Sequence, residues 1–101
     1  MYPFKIRIED RATQDIQKGY DYYEALQEGL GIRFNQEVFN ALEILRSNPF
    51  FQIRYNTFRC YPIRKFSFMI HYEVDENLKT VNVFALINTY LDPKENWIKD
   101  R

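Results

Sequence analysis

The sequence predicts an α+β fold: an N-terminal strand, an antiparallel helix hairpin, then a three- to four-stranded, mainly antiparallel sheet. Three observations carry that prediction. Between Asp10 and Leu45, apolar residues recur at spacings of three and four, the period of a helix with one buried face. After Pro49 the period drops to two, the signature of half-buried strands. The two patterns do not alternate along the chain, and such segregation places helices on one face of an antiparallel sheet rather than between parallel strands.

The elements follow in order. "PFKIRI" alternates Phe4, Ile6 and Ile8 with Lys5 and Arg7, a short strand with one buried face. Asp10 is placed to cap the first helix through its side-chain oxygen. Ala12, Ile16, Tyr20 and Tyr23 form that helix's stripe. It is expected to end near Glu28, because Gly29 and Gly31 supply a tight reversal. Phe34, Val38, Ala41, Leu42 and Leu45 line the second helix, which Asn48-Pro49 closes.

"FFQIRY" and "TFRCYPI" read as two short strands around a turn, with Pro62 arguing for an edge or a bulge. In "KFSFMIHYEV", Phe66, Phe68, Ile70, Tyr72 and Val74 point one way; Ser67, Met69, His71 and Glu73 point the other. "DENLK" is a hairpin turn. "TVNVFALIN" then returns with Val81, Val83, Ala85 and Ile87 on one face and Asn82, Phe84, Leu86 and Asn88 on the other. The tail from Leu91 reads as a turn and a short docked piece anchored by Trp97.

At 101 residues the chain, 1–101, is expected to be a single domain. Its 18% aromatic content allows a small core to bury large areas. No stretch approaches the ~18 apolar residues of a membrane span, and the N-terminus lacks a signal peptide's apolar run. A lone Cys60 makes no internal disulfide and suits a reducing compartment, so a cytoplasmic protein is expected. One His and one Cys offer no zinc spacing, and three glycines form no phosphate loop. No metal or cofactor is expected.

The net charge of zero conceals a polarised chain. Eight acids lie from Glu9 to Glu43, against three cations, Arg11, Lys18 and Arg33. From Ile44 to Tyr72 there is no acid, yet Arg46, Arg54, Arg59, Arg64 and Lys65 are present. Such asymmetry can steer a partner to one face.

A strand–helix–helix–strands order over about 100 residues, with "YDYYEALQEGLGIRFNQEVFNALEILRSNP" followed by an "R…RKF…Y" strand, resembles the RelE/ParE toxin superfamily of type II toxin–antitoxin systems, from Ile8 to Trp97. Tyr22-Tyr23 end the first helix, Gly29-Leu30-Gly31 follow, and Asn48-Pro49 closes the second helix. Arg59 sits where the family keeps an arginine. Arg64-Lys65-Phe66 is similar to its basic lead into the central strand, and Asp92-Pro93 with Trp97 to its terminal motif. The resemblance implies the toxin of a plasmid-stabilisation-like pair that arrests growth and is held inactive by a cognate antitoxin. Some members cut messenger RNA inside the ribosome; others poison DNA gyrase. Many end the last strand with a histidine and an arginine three residues on, where this chain has Asn88 and Leu91. An asparagine cannot exchange a proton at neutral pH, and a leucine cannot clamp a phosphate.

Cleaving RNA through its 2′-hydroxyl needs a base, an acid and a cation for the crowded phosphate. Arg59, Arg64 and Lys65 are the catalytic candidates, with Tyr90 as the base beside them. Arg54, Arg59 and Arg64 are the phosphate-binding candidates, since guanidinium groups match phosphate oxygens. Their alternative is a solvated strand end, or salt bridges to the acidic helices. His71, alternating beside Met69 and Glu73, reads as a packed side chain, and Cys60 as a small core residue. Met69, Phe84 and Leu86, on a sheet face that two helices cannot also cover, are the partner-binding candidates together with Trp97 of the tail. The alternative is that the tail itself covers this face, with Trp97 folded over it. Three functions remain: a gyrase poison, favoured because recognition needs no acid–base pair; a ribosome-dependent endoribonuclease; and a non-toxic antitoxin-binding module. Self-association is left open.

Overall fold

In the computed structural model, which describes residues 3–89, β1 (Lys5–Ile8) leads into α1 (Asp10–Leu26) and α2 (Leu30–Ser47). β2 (Ile53–Tyr55), β3 (Phe58–Pro62), β4 (Phe68–Asp75) and β5 (Thr80–Asn88) follow. They form one five-stranded sheet in the order β1-β5-β4-β3-β2. Every neighbouring pair is antiparallel except β1 with β5, which is parallel. The N-terminal strand thus joins the sheet as its fifth member.

α1 begins at Asp10 itself, the residue expected to cap it. Glu9 is the N-cap and makes no side-chain cap bond, so Asp10 lies in the first turn, where its charge faces the positive end of the helix dipole. The reversal to α2 is built by Glu24. Its two carboxylate oxygens accept the backbone N–H groups of Gly29 and Gly31, each at 2.9 Å. Gly29 has φ 87°, a left-handed conformation that glycine adopts without strain. Glu24 thereby satisfies amides at the start of a helix whose N-cap, Gly29, has no side chain.

Gly19 lies against the ring of Phe34, where a Cβ would sit 2.6 Å from its carbons. That close approach lets Phe34 reach under α1 and meet Tyr23, Phe66 and Phe68 at ring separations of 5.3–5.5 Å. Each edge-on pair contributes about 0.5–1.5 kcal/mol beyond area burial. Phe34, Val38, Ala41 and Leu45 of α2 join Ala12, Ile70, Tyr72, Val81 and Val83 in the core. The expected helix-facing set of β4 is the observed one.

β5 departs from strict alternation. The register runs His71↔Ala85 and then Tyr72↔Val83, leaving Phe84 as an extra residue. This bulge flips everything beyond it. Leu86, expected on the open face, pairs with Ile70 and joins the core at 4% exposure. Ala85 and Ile87 turn instead to the face of His71 and Met69.

β2 is shorter than "FFQIRY" suggested, because Phe50 and Phe51 stay in the loop. It pairs with β3 only at Ile53↔Arg59 and Tyr55↔Phe58. Pro62, at the far end of β3, therefore has an open side for its missing N–H.

Candidate functional site

Arg59 stands opposite Tyr72, on the helix-packed face of the sheet. Its guanidinium donates to the Phe51 carbonyl and lies 5.4 Å from the Phe50 ring centroid. The buried Tyr72 hydroxyl donates to the Pro49 carbonyl at 2.7 Å. Burial pushes the Tyr72 phenol up to about 12, so it stays protonated and donating. Together these two side chains pin the loop between α2 and β2.

Arg64 and Lys65 lie elsewhere, exposed in the β3–β4 connection, where Lys65 adopts φ 70°. The strand from Arg59 to Pro62 alone separates them from Arg59 by about 10 Å. Arg54 is exposed on β2. Arg54, Arg64 and Lys65 make no ion pair among the described residues. The sequence-predicted cations thus lie on β2, on β3 and in the β3–β4 connection, and Arg59 is engaged in holding a loop. Tyr90, the expected base, lies outside the described residues, as do Leu91 and Trp97.

His71 is 3% exposed on the opposite sheet face. Its Nδ1 shares a 2.7 Å hydrogen bond with the Tyr55 hydroxyl, and the Cys60 Sγ lies 3.6 Å from the same atom. Burial, assisted by Arg11 and Arg54, lowers the His71 pKa to about 4, so the ring is neutral at pH 7. Burial likewise raises the Cys60 thiol to about 11. Neither has the protonation behaviour of a nucleophile–base pair.

Of the partner-binding candidates, Met69 is half-buried on that face. Phe84, also half-buried, is the bulged residue and packs edge-on against Phe58 at 5.2 Å. Leu86 is corrected: it supports the helices and presents no exposed surface for a partner.

Sequence reasoning missed the α1 side of the sheet. Arg11, Asp15, Lys18 and Tyr22 follow one another at helical spacing and line a cleft of about 290 Å³ with Phe68 and Asn88. Asp15 accepts the Leu86 N–H at 3.0 Å and meets Arg11 at 3.5 Å. Burial raises its carboxyl pKa, against the opposing pull of that amide and of Arg11 and Lys18. The polar spacing along α1 was visible in the sequence; that it abuts the end of β5 was not. Among the described residues no cluster of His, Cys, Asp and Glu is fit to hold a metal ion, and no helix is long and apolar enough to cross a membrane.

The fold is that of a small α+β domain with a helix hairpin on one sheet face, and its candidate cations are distributed over β2, β3 and the β3–β4 connection. The family model described as "ParE toxin of type II toxin-antitoxin system, parDE" matches residues 6–89, and the chain belongs to that family. It is a ParE/RelE-type toxin of a type II toxin–antitoxin system. No curated protein matches it. Among solved structures it resembles a chain of the chromosomal ParDE system from P. aeruginosa, with TM-score 0.72 and 14% identity, over 87% of this chain and 98% of that one. It also resembles a chain of the RelBE2 toxin–antitoxin complex from Mycobacterium tuberculosis, with TM-score 0.59 and 18% identity, over 85% and 98%. At such identities the likeness concerns the fold.

Proposed function

We infer that this toxin arrests growth by binding a macromolecular target through its surface, with DNA gyrase favoured, and that a cognate antitoxin restrains it. The observation that carries this reading is the engagement of Arg59 with the Phe51 carbonyl, while Arg64 and Lys65 lie in the β3–β4 connection. Acid–base cleavage of RNA needs its groups within hydrogen-bond reach of one phosphate. Here Arg59 holds the Phe50–Phe51 loop, Arg64 and Lys65 sit beyond the end of β3, and Asn88 occupies the strand end. Recognition of a protein target requires no such convergence. The antitoxin partner is supported by the two fold neighbours named above, each from a toxin–antitoxin system.

Induced expression in bacterial cells, read by growth, a DNA-damage reporter and a translation reporter, tests the inference. Arrest with DNA damage, together with cleaved DNA accumulating when purified protein is mixed with DNA gyrase, is the expected result. Arrest with a translation block and cut messenger RNA, lost in an Arg59→Ala/Arg64→Ala/Lys65→Ala variant that still folds, would establish the endoribonuclease instead. A folded protein without effect on growth would leave an antitoxin-binding module.

A further inference from the structure

β1 is one edge of the sheet, and its outer side is open. The Lys5 N–H donates to the Lys79 carbonyl and the Glu9 N–H to the Val83 carbonyl, each at 2.9 Å. Backbone groups alternate sides along a strand, so Ile6 and Ile8 turn their N–H and C=O groups away from β5. The Phe4 N–H, in the same outer row, is taken by the Arg46 carbonyl at 3.3 Å. Among the described residues nothing bonds the outer groups of Ile6 and Ile8. Beside them runs a groove of about 550 Å³ between β1 and α2, lined by Ile6, Ile8, Phe39 and Leu42 with Lys5 on the strand side. Ile8 is 38% and Phe39 61% exposed. Glu43 and Arg46 close the groove on the α2 side and pair with each other at 2.9 Å.

Two copies related by a twofold axis join such edges antiparallel, and the backbone restricts their register. Outward groups must meet outward groups, so Ile6 faces Ile6, or Ile8 faces Ile8, or Ile6 faces Ile8. The first register sets Lys5 against the partner's Arg7. The second sets Ile6 against the partner's Asp10, where the chain has already turned into α1. The third sets Ile6 against the partner's Ile8 and Lys5 against the partner's Glu9, and symmetry repeats both pairings. Each Ile6–Ile8 pairing exchanges both of its N–H···O bonds on the side of the groove. Each Lys5–Glu9 pairing joins opposite charges on the other face.

Arg7 then faces its own copy across the axis. Its guanidinium meets Glu9 of its own chain at 3.3 Å, and the partner's Glu9 lies diagonal to it, which offsets that repulsion. Asp10 comes level with the partner's Phe4, over whose ring Lys79 sits at 5.7 Å, again opposite in sign. Lysine and arginine on a short edge strand ordinarily repel other strands. This chain itself supplies, at the matching position, the acid that Lys5 needs, and that self-complementarity selects a second copy as the occupant. The opposite edge does not extend the series, because β2 has three residues and a register shift. The assembly therefore closes as a pair.

We propose that the toxin self-associates through β1, antiparallel about Arg7, so that two five-stranded sheets become one and Ile8 and Phe39 are covered between the copies. The proposal does not depend on which target the toxin binds.

Sedimentation equilibrium of the purified full-length chain, beside Lys5→Glu and Glu9→Lys variants checked for a cooperative thermal transition, tests it. Wild type is expected to dimerise reversibly. Lys5→Glu sets acid against acid and Glu9→Lys sets cation against cation, at both symmetric pairings. Each variant alone is expected to self-associate at least about tenfold more weakly. Mixed in equal amounts, the two variants restore opposite charges at both pairings, and association is expected to recover to within about threefold of wild type. Lys5 is exposed, so Lys5→Glu reports even if Glu9→Lys fails to fold. A wild type that stays monomeric up to its solubility limit overturns the proposal, as does a dimer that both variants leave intact. Variants that separate alone but do not recover on mixing overturn the register, and with it the argument for a second copy. A monomeric wild type whose antitoxin binding is weakened by both variants gives this edge to the inhibitor instead.

Discussion

His71 shows how far a residue's chemistry depends on what surrounds it. In a model peptide it would titrate near 6.5; between Tyr55 and Cys60 it titrates near 4. A histidine with a lowered folded-state pKa binds its proton more readily in the unfolded chain. Its contribution to stability is therefore complete above pH 6.5 and is lost as the pH falls from 6.5 toward 4. By pH 5 the expected loss is about 2 kcal/mol. Urea denaturation of wild type and His71→Gln at pH 7.5 and pH 5 checks this, since the variant lacks that part of the pH dependence. Asp15 acts in the opposite sense, because its raised pKa favours the folded state as it protonates; it is common to both proteins and cancels. The sequence showed that His71 alternates onto the face of Met69. It could not show that the Tyr55 hydroxyl, sixteen residues earlier, would be its partner.

At the scale of elements, the helix hairpin depends on close backbone approach. A Cβ at Gly31 would meet the Tyr20 carbonyl oxygen at 2.7 Å and a Glu24 carboxylate oxygen at 2.9 Å. The first of these is backbone and cannot swing aside. Gly31→Ala is expected to cost about 1–3 kcal/mol despite alanine's better helix propensity, measurable by chemical denaturation. The glycine itself was legible as a turn signal, but its crowding depends on the angle at which two helices meet. The β5 bulge makes a second case. Leu86→Ala should destabilise by about 2–5 kcal/mol, as for a core leucine, while Met69→Ala on the other face should cost clearly less. Equal, small losses from both would mean that β5 keeps strict alternation. Phe84 carries the reason for the bulge: with one extra residue in the strand, its ring stays against Phe58 while Leu86 turns under α1.

At the scale of the whole molecule, the sheet is closed by its most distant strands. β1 pairs with β5 from Lys5↔Thr80 to Ile8↔Val83, and Phe4 and Ile6 pack into the common core. Deleting residues 1–8 would expose the edge of β5 and remove that packing. A protein so shortened is expected to lose its cooperative melting transition, which circular dichroism would reveal. A retained sharp transition would mean that the helices and the β2–β5 meander suffice alone.

By itself the sequence determined the order and type of the elements, the core stripes of both helices, the inward face of β4 and the uneven layout of charge. These are local or periodic properties, set by side-chain spacing along one segment. The tertiary structure alone decided that Leu86 faces the helices, that Arg59 holds a loop, that Arg64 and Lys65 stand apart from it, and that Phe51 and Ile53 remain uncovered. Each of those depends on a register shift or a contact between distant segments. A single inserted residue reverses every later side chain in a strand without changing its apolar pattern.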